Sequence, residues 1–280
     1  MSTLRSATED GHYALGTPHS ALRTSRAFTM IEIAISLAVI GFALVAILGV
    51  LPIGLNVQKE NREETIINQD ATVLLNAIRN GAQGMDDLAN YVIGITNTTT
   101  PLDRTLTNAN GPTSINWYTR TNSSVGGGFA LTTGYRIIGL LSTPRFIPTN
   151  RGYLSNYVVA AFRSLSGPAS EKFPQNNADM QDLALSYRMI TEVVAYGTTY
   201  YNGWGNPMSV NLSNNLHELR LTFRWPLAKG ANARGRQVYR TLVGGSLQET
   251  NEPGFRRSNP SLPSPYDLYF FQPQTYVKAP

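Results

Sequence analysis

One carboxylate in this sequence is placed where it could do specific chemistry. Glu32, in Phe28-Thr-Met-Ile-Glu32, directly precedes 26 consecutive uncharged residues, Ile33 to Gln58. Acids held in lipid are functional candidates, and snorkelling to the interface is the plainer alternative so near a helix end. No catalytic or metal-binding constellation accompanies it. Cysteine is absent, which excludes a thiol nucleophile, a disulfide scaffold, an iron–sulfur cluster and Cys-ligated zinc. The three histidines, His12, His19 and His217, lack ligand spacing. His217, in Asn215-Leu-His-Glu218, reads as a satisfied surface side chain at a strand entrance. Asp86-Asp87 and Glu63-Glu64 read as helix-terminal or solvated charges, and Glu249, Glu252 and Asp267 form no spaced calcium cluster. Gly126-Gly-Gly128 lacks the Lys-Ser/Thr of a phosphate loop. The expectation is a protein that is not an enzyme and needs no cofactor or metal.

The net charge of +5 over 280 residues carries no large basic block, so bulk nucleic-acid binding is not implied. Arg224, Arg234, Arg236, Arg240, Arg256 and Arg257 make the second half basic. They read as solvated strand faces, with contact to DNA or an anionic polysaccharide as the sharper alternative. Tyr200-Tyr201 and Trp204 lie in a Gly/Asn-rich stretch and read as core-edge packing, with a sugar or partner contact as the alternative.

The uncharged run must position Glu32. As a helix its 26 residues would span about 39 Å, enough to cross a hydrocarbon core of roughly 30 Å. It is longer than a secretory signal's apolar core and is not followed by a small-residue cleavage site. Gly41, Gly49 and Gly54 would permit close helix packing in lipid, and Pro52 should kink or locally unwind the helix. Arg5, Arg23 and Arg26 precede the run, while Lys59 and Arg62 follow it, so the positive-inside rule favours a cytoplasmic N-terminus only slightly. Beyond the charged turn Gln58 to Glu64, the residues Ile67, Ala71, Leu74 and Ile78 recur at helical spacing, with Ile66, Val73 and Leu75 widening the stripe. Gly81 is the natural C-cap, and a short helix is expected over Met85 to Val92.

The remainder reads as strands. Tyr135 to Leu141 is a short apolar candidate, and Tyr153 to Leu165 a longer one. Leu183, Leu185, Tyr187, Met189 and Val193 share one face of a period-two segment. Leu219, Leu221, Phe223 and Trp225 do the same, and Gln237 to Val243 returns as the second arm of a hairpin. Residues 96–128 are Thr-, Asn- and Gly-rich and read as a long mobile loop. The proline-punctuated tail 249–280 cannot be regular throughout.

The leader arginines, a small residue, Phe28-Thr-Met-Ile-Glu32 and some twenty apolar residues together closely resemble the cleavage and methylation signal of type IV pilins and type II secretion pseudopilins. The family pattern is Gly, then Phe-Thr-Leu-(Ile/Val)-Glu. Met30 replaces Leu, and Ala27 replaces Gly, a departure expected to slow cleavage. The likeness covers residues 23 to 60, about an eighth of the chain. It implies cleavage between Ala27 and Phe28 by a prepilin peptidase, with methylation of the Phe28 amine. It assigns Glu32 an assembly role, pairing with the N-terminal amine of a neighbouring subunit. Family members commonly carry a proline in the region of Pro52.

The expected architecture is therefore α+β and pilin-like, a long helix packed on an antiparallel sheet. Residues 1–27 would be a leader, 28–57 the transmembrane half of the helix, 58–81 its amphipathic half and 82–280 an extracytoplasmic β-rich domain. The resemblance implies a filament subunit of a pilus or secretion pseudopilus, minor or specialised. It would be anchored in the inner membrane by one pass before entering a periplasmic or surface filament. Its partners would be the peptidase, other pilin or pseudopilin subunits and the inner-membrane assembly platform. The alternatives are a pilus-associated binding module for DNA or a surface ligand, and a simple single-span membrane protein.

Overall fold

The computed structural model describes residues 28–81, 85–106, 108–120, 129–149, 152–167, 185–196, 212–227, 234–251 and 266–278. The leader, including Ala27, lies outside them, as do Gly126 to Gly128, Leu183, Tyr200, Tyr201, Trp204, Glu252, Arg256 and Arg257. The chain divides into two units, 1–56 and 57–280.

Helix α1, Met30–Asn80, is a single α-helix that runs unbroken through Pro52. Gly81 ends it with φ +70, a left-handed conformation that costs glycine little. In the first unit, every described residue of the helix is exposed. The span is long and apolar enough to cross a membrane.

In the second unit α1 is amphipathic. Ile67, Ala71, Leu74, Ala77 and Ile78 enter the core, together with Asp70, whereas Val73 remains 41% exposed. The short helix expected over Met85 to Val92 is a 3-10 helix, Asp86–Asn90. The main sheet is antiparallel throughout. Its strands are β1 (Val92–Leu102), β2 (Ser114–Thr119), β3 (Phe146–Thr149), β4 (Gly152–Arg163), β5 (Ser186–Ala195), β6 (Leu216–Trp225) and β7 (Gly235–Gly244). The order is β2-β1-β4-β5-β6-β7, with β3 added to β4. Tyr187, Met189 and Val193 of β5 and Leu219, Leu221, Phe223 and Trp225 of β6 point into the same core as α1. The α+β architecture is thus present.

The β6–β7 hairpin falls where alternation placed it, with Trp225 opposite Gly235. A Cβ on Gly235 would lie 2.1 Å from the Trp225 ring, so the missing side chain is what lets the indole cover the strand end.

Two expectations are corrected. Residues 96–128 are not one loop, because β1 and β2 occupy much of them and pair in register from Gly94↔Thr119 to Thr99↔Ser114. Their Thr residues are β-branched and suit an extended backbone, and Val92 and Ile95 supply the buried aliphatic anchors of β1. Tyr135 to Leu141 is not a strand but lies in helix α2, Gly134–Leu141, whose N-cap Thr133 accepts from the Arg136 amide. Short apolar runs do not distinguish the two periods. In the tail, β8 (Ser246–Asn251) pairs antiparallel with β9 (Asp267–Gln272). Strand β9 is buried from Asp267 to Phe271. It packs on α2, where a Cβ on Gly139 would sit 2.7 Å from Phe270 and 2.8 Å from Leu268.

Candidate assembly helix

The start of α1 is closed by its own side chains. Thr29 Oγ1 accepts from the Glu32 amide at 3.3 Å, while the Glu32 carboxylate accepts from the Thr29 amide and hydroxyl, both at 3.4 Å. This reciprocal arrangement is a capping box, which satisfies two of the free N–H groups of a first turn. The carboxylate also sits at the positive end of the helix dipole, where an anion is favoured. The Thr-x-x-Glu spacing is present in the sequence, where Glu32 reads either as a snorkelling acid or as one that pairs with another subunit. Phe28, at the expected cleavage point, is 75% exposed one turn before Glu32.

The apolar surface that follows is exposed, with no partner in its own unit among the described residues. Met30 is 91% exposed and Phe42 79%. Among the described residues, no atom beyond the helix's own lies within 4 Å of a Cβ built at Gly41, Gly49 or Gly54. Pro52 lies about 30 Å along the axis from Glu32 at the normal helical rise, so the two act at opposite ends of this surface.

The second half of the helix is anchored by polar groups that sequence reasoning missed. Asp70 is fully buried. Its carboxylate accepts from the amides of Leu165 and Ser166 at 2.9 Å and from Ser166 Oγ at 2.6 Å. It therefore fastens α1 to the exit of β4. Burial raises the carboxyl above its ordinary value, although these hydrogen bonds pull the other way. The Tyr187 hydroxyl faces the same site without good hydrogen-bond geometry and is raised well above a normal phenol, first by burial and then by Asp70. Asn68 Oδ1, one helical face over, accepts from the Tyr239 hydroxyl and from Gln237 Nε2 at 3.2 Å. The signal for Asp70 was its place in the stripe, three residues after Ile67 and four before Leu74. A charged residue in a core stripe is the exception that asks for partners.

His217 corrects another expectation. It is 6% exposed, faces inward from β6, and meets the Phe271 ring edge-on at 5.4 Å. Among the described residues its Nδ1 has no hydrogen-bond partner, and burial lowers its pKa to about 4. An alternating strand puts residue 217 on the same face as Leu219, which already pointed to the core. Among the described residues no three of His, Asp and Glu gather to hold a metal ion.

Arg220, Arg224, Arg236 and Arg240 lie on the sheet's outer face, as the alternation required. Arg220 pairs with Glu192 at 3.4 Å and with Glu218 at 3.1 Å. Arg145 and Arg240 extend this network to Glu192 and Glu218, each at 4.0 Å.

No protein-family model matches this chain, and no curated protein or solved structure matches it either.

Proposed function

We propose that this chain is a prepilin-like structural subunit of a type IV pilus or type II secretion pseudopilus, not an enzyme. The observation that carries the reading is the wholly exposed apolar half of α1, headed by Glu32 in the sequence context Phe28-Thr-Met-Ile-Glu32. That surface needs lipid first and neighbouring helices afterwards. In lipid, helices associate through packing and polar contacts rather than through the hydrophobic effect. A processed chain would begin at Phe28 with a cationic amine, and Glu32 of a neighbour would offset it. The C-terminal unit would lie outside the cytoplasm, first on the inner membrane and then in a filament.

Two measurements test this. N-terminal mass spectrometry of membrane-extracted protein should find a methylated amine at Phe28. A chain retaining its leader in cells with an active prepilin peptidase would defeat the reading. Separately, Glu32→Ala should insert and be cleaved normally but enter sheared filaments poorly, since truncating one member of a buried ion pair costs about 3–5 kcal/mol. Glu32→Gln should be intermediate. Equal filament fractions for the parent and both variants would reject the pairing role.

A further inference from the structure

The outer face of the sheet carries arginines in two different conditions. Toward one end of the strands Arg220 and Arg240 lie opposite each other, with Glu192 and Glu218 among them. Four residues along, Arg188 lies opposite Arg224, and Arg224 opposite Arg236, with no acid in the row. All three are exposed, and none makes an ion pair among the described residues. Neighbouring strands lie about 4.8 Å apart, so the row places three guanidinium groups over roughly 10 Å. Like charges directly opposite destabilise a sheet. The row continues onto Ala161 and Gly94, small residues that leave it unobstructed.

The same unit carries the complementary fault. Glu60 and Glu64 of α1 are exposed, and neither forms an ion pair among the described residues, whereas Glu63 pairs with Lys59 at 3.8 Å. Glu64 acts on the Tyr239 hydroxyl, which burial first and this charge second push up to about 12. Acids four apart on a helix are neighbours at about 5–6 Å and repel. That spacing suits two forks of the arginine row.

We infer that the Arg188–Arg224–Arg236 row is a docking surface for a second copy of this chain, which presents Glu60 and Glu64. Each patch destabilises its own subunit and is neutralised by the other. Because the patches differ, the contact is heterologous, and a heterologous contact that does not close continues as an open helical array. That last consequence rests on the filament reading above, whereas the contact itself does not.

The chain's lack of cysteine makes the test direct. Full-length Glu60→Cys and Arg188→Cys copies, each retaining the rest of its patch, are co-expressed, and membranes are treated with a short bismaleimide. The filament fraction is scored in the same cells. A mixed dimer should form, and either copy alone should give none. Arg224→Glu with Arg236→Glu in the arginine copy should lower the mixed dimer about tenfold. Glu64→Arg in the other copy should restore it. Filaments without a mixed dimer would overturn this contact and leave the filament reading standing. A charge-dependent dimer without filaments would uphold the contact and defeat that reading. If no dimer forms, and single-stranded DNA or a polyuronate retains the detergent-extracted parent but not the Arg224→Glu/Arg236→Glu chain, the row belongs to an acidic polymer and the second-copy contact is overturned.

Discussion

The two halves of α1 are one element built for two surroundings. Up to Asn56 the helix is apolar on every side and exposed on every side. From Val57 onward it has one inward stripe, and that stripe is interrupted by a buried acid with three donors. The first half keeps its polar groups to its end, where Thr29 and Glu32 close the backbone. The second half uses polar groups in its middle to fix which part of the sheet it meets. Hydrophobicity alone would let a helix slide along a core, whereas Asp70 admits one axial position.

Substitutions should act differently on the two halves, and the effects can be ordered. The largest is expected for Asp70→Ala, which leaves the Leu165 and Ser166 amides buried without an acceptor. At about 1–3 kcal/mol for each unsatisfied group, the loss should be about 4 kcal/mol. Thermal unfolding of the detergent-solubilised full chain, followed by near-ultraviolet circular dichroism, measures it. A midpoint equal to the parent's would show that the latch does not hold the helix. Next comes a matched pair. Leu74→Ala removes a fully buried side chain and should cost about 3 kcal/mol. Leu44→Ala, at an exposed position, should change the same midpoint by less than about 0.5 kcal/mol. Similar losses for the two would erase the distinction between the halves.

Acid should act on the second unit through His217. Its folded pKa lies below its unfolded one, so its contribution is complete above about pH 6.5 and is lost as the pH falls toward 4. A displacement from 6.5 to about 4 corresponds to at most about 3 kcal/mol. Asp70 has the opposite sign. Its folded pKa is raised, so its contribution is complete below 3.8 and is lost as the pH rises through the folded value. The parent's midpoint should therefore fall between pH 7 and 4.5. His217→Leu should flatten that fall, and Asp70→Asn should steepen it. An unchanged slope in His217→Leu would assign the acid sensitivity elsewhere. The smallest effect belongs to the cap. Thr29→Val should fray only the first turn, costing about 1 kcal/mol locally. Hydrogen exchange in micelles should quicken at residues 30–33 and nowhere past Pro52.

The legible parts were those with long, clean periods. The amphipathic helix and the β6–β7 hairpin are legible because Ile67, Ala71, Leu74 and Ile78 keep helical spacing around Asp70, and Leu219 to Trp225 alternate. Strand β1 was hidden because Thr96, Thr98 and Thr100 resemble a loop by composition, and composition does not record that β-branching favours extension. Helix α2 was hidden because Ile137, Ile138, Leu140 and Leu141 crowd too closely to carry a phase. At the start of α1, the position of Glu32 is visible in the sequence, whereas its bonds to Thr29 follow from the turn of backbone between them. Asp70 and His217 were missed for a shared reason. Each is polar, although its place in a helical or alternating stripe puts it inside.

The hydrogen bond between Asn68 and Tyr239 joins residues 171 apart in sequence. Chains emerge during synthesis at about 5–20 residues per second, so Asn68 of α1 must wait roughly ten to thirty-five seconds for its β7 partner to exist. Throughout that delay the amphipathic half is a sticky, unsheltered ribbon tethered beside a lipid-seeking one. Translation speed, not only final packing, thus sets how long this segment is open to misassociation. Slowing elongation downstream of residue 80 should raise the aggregated fraction without altering the stability of molecules that escape it.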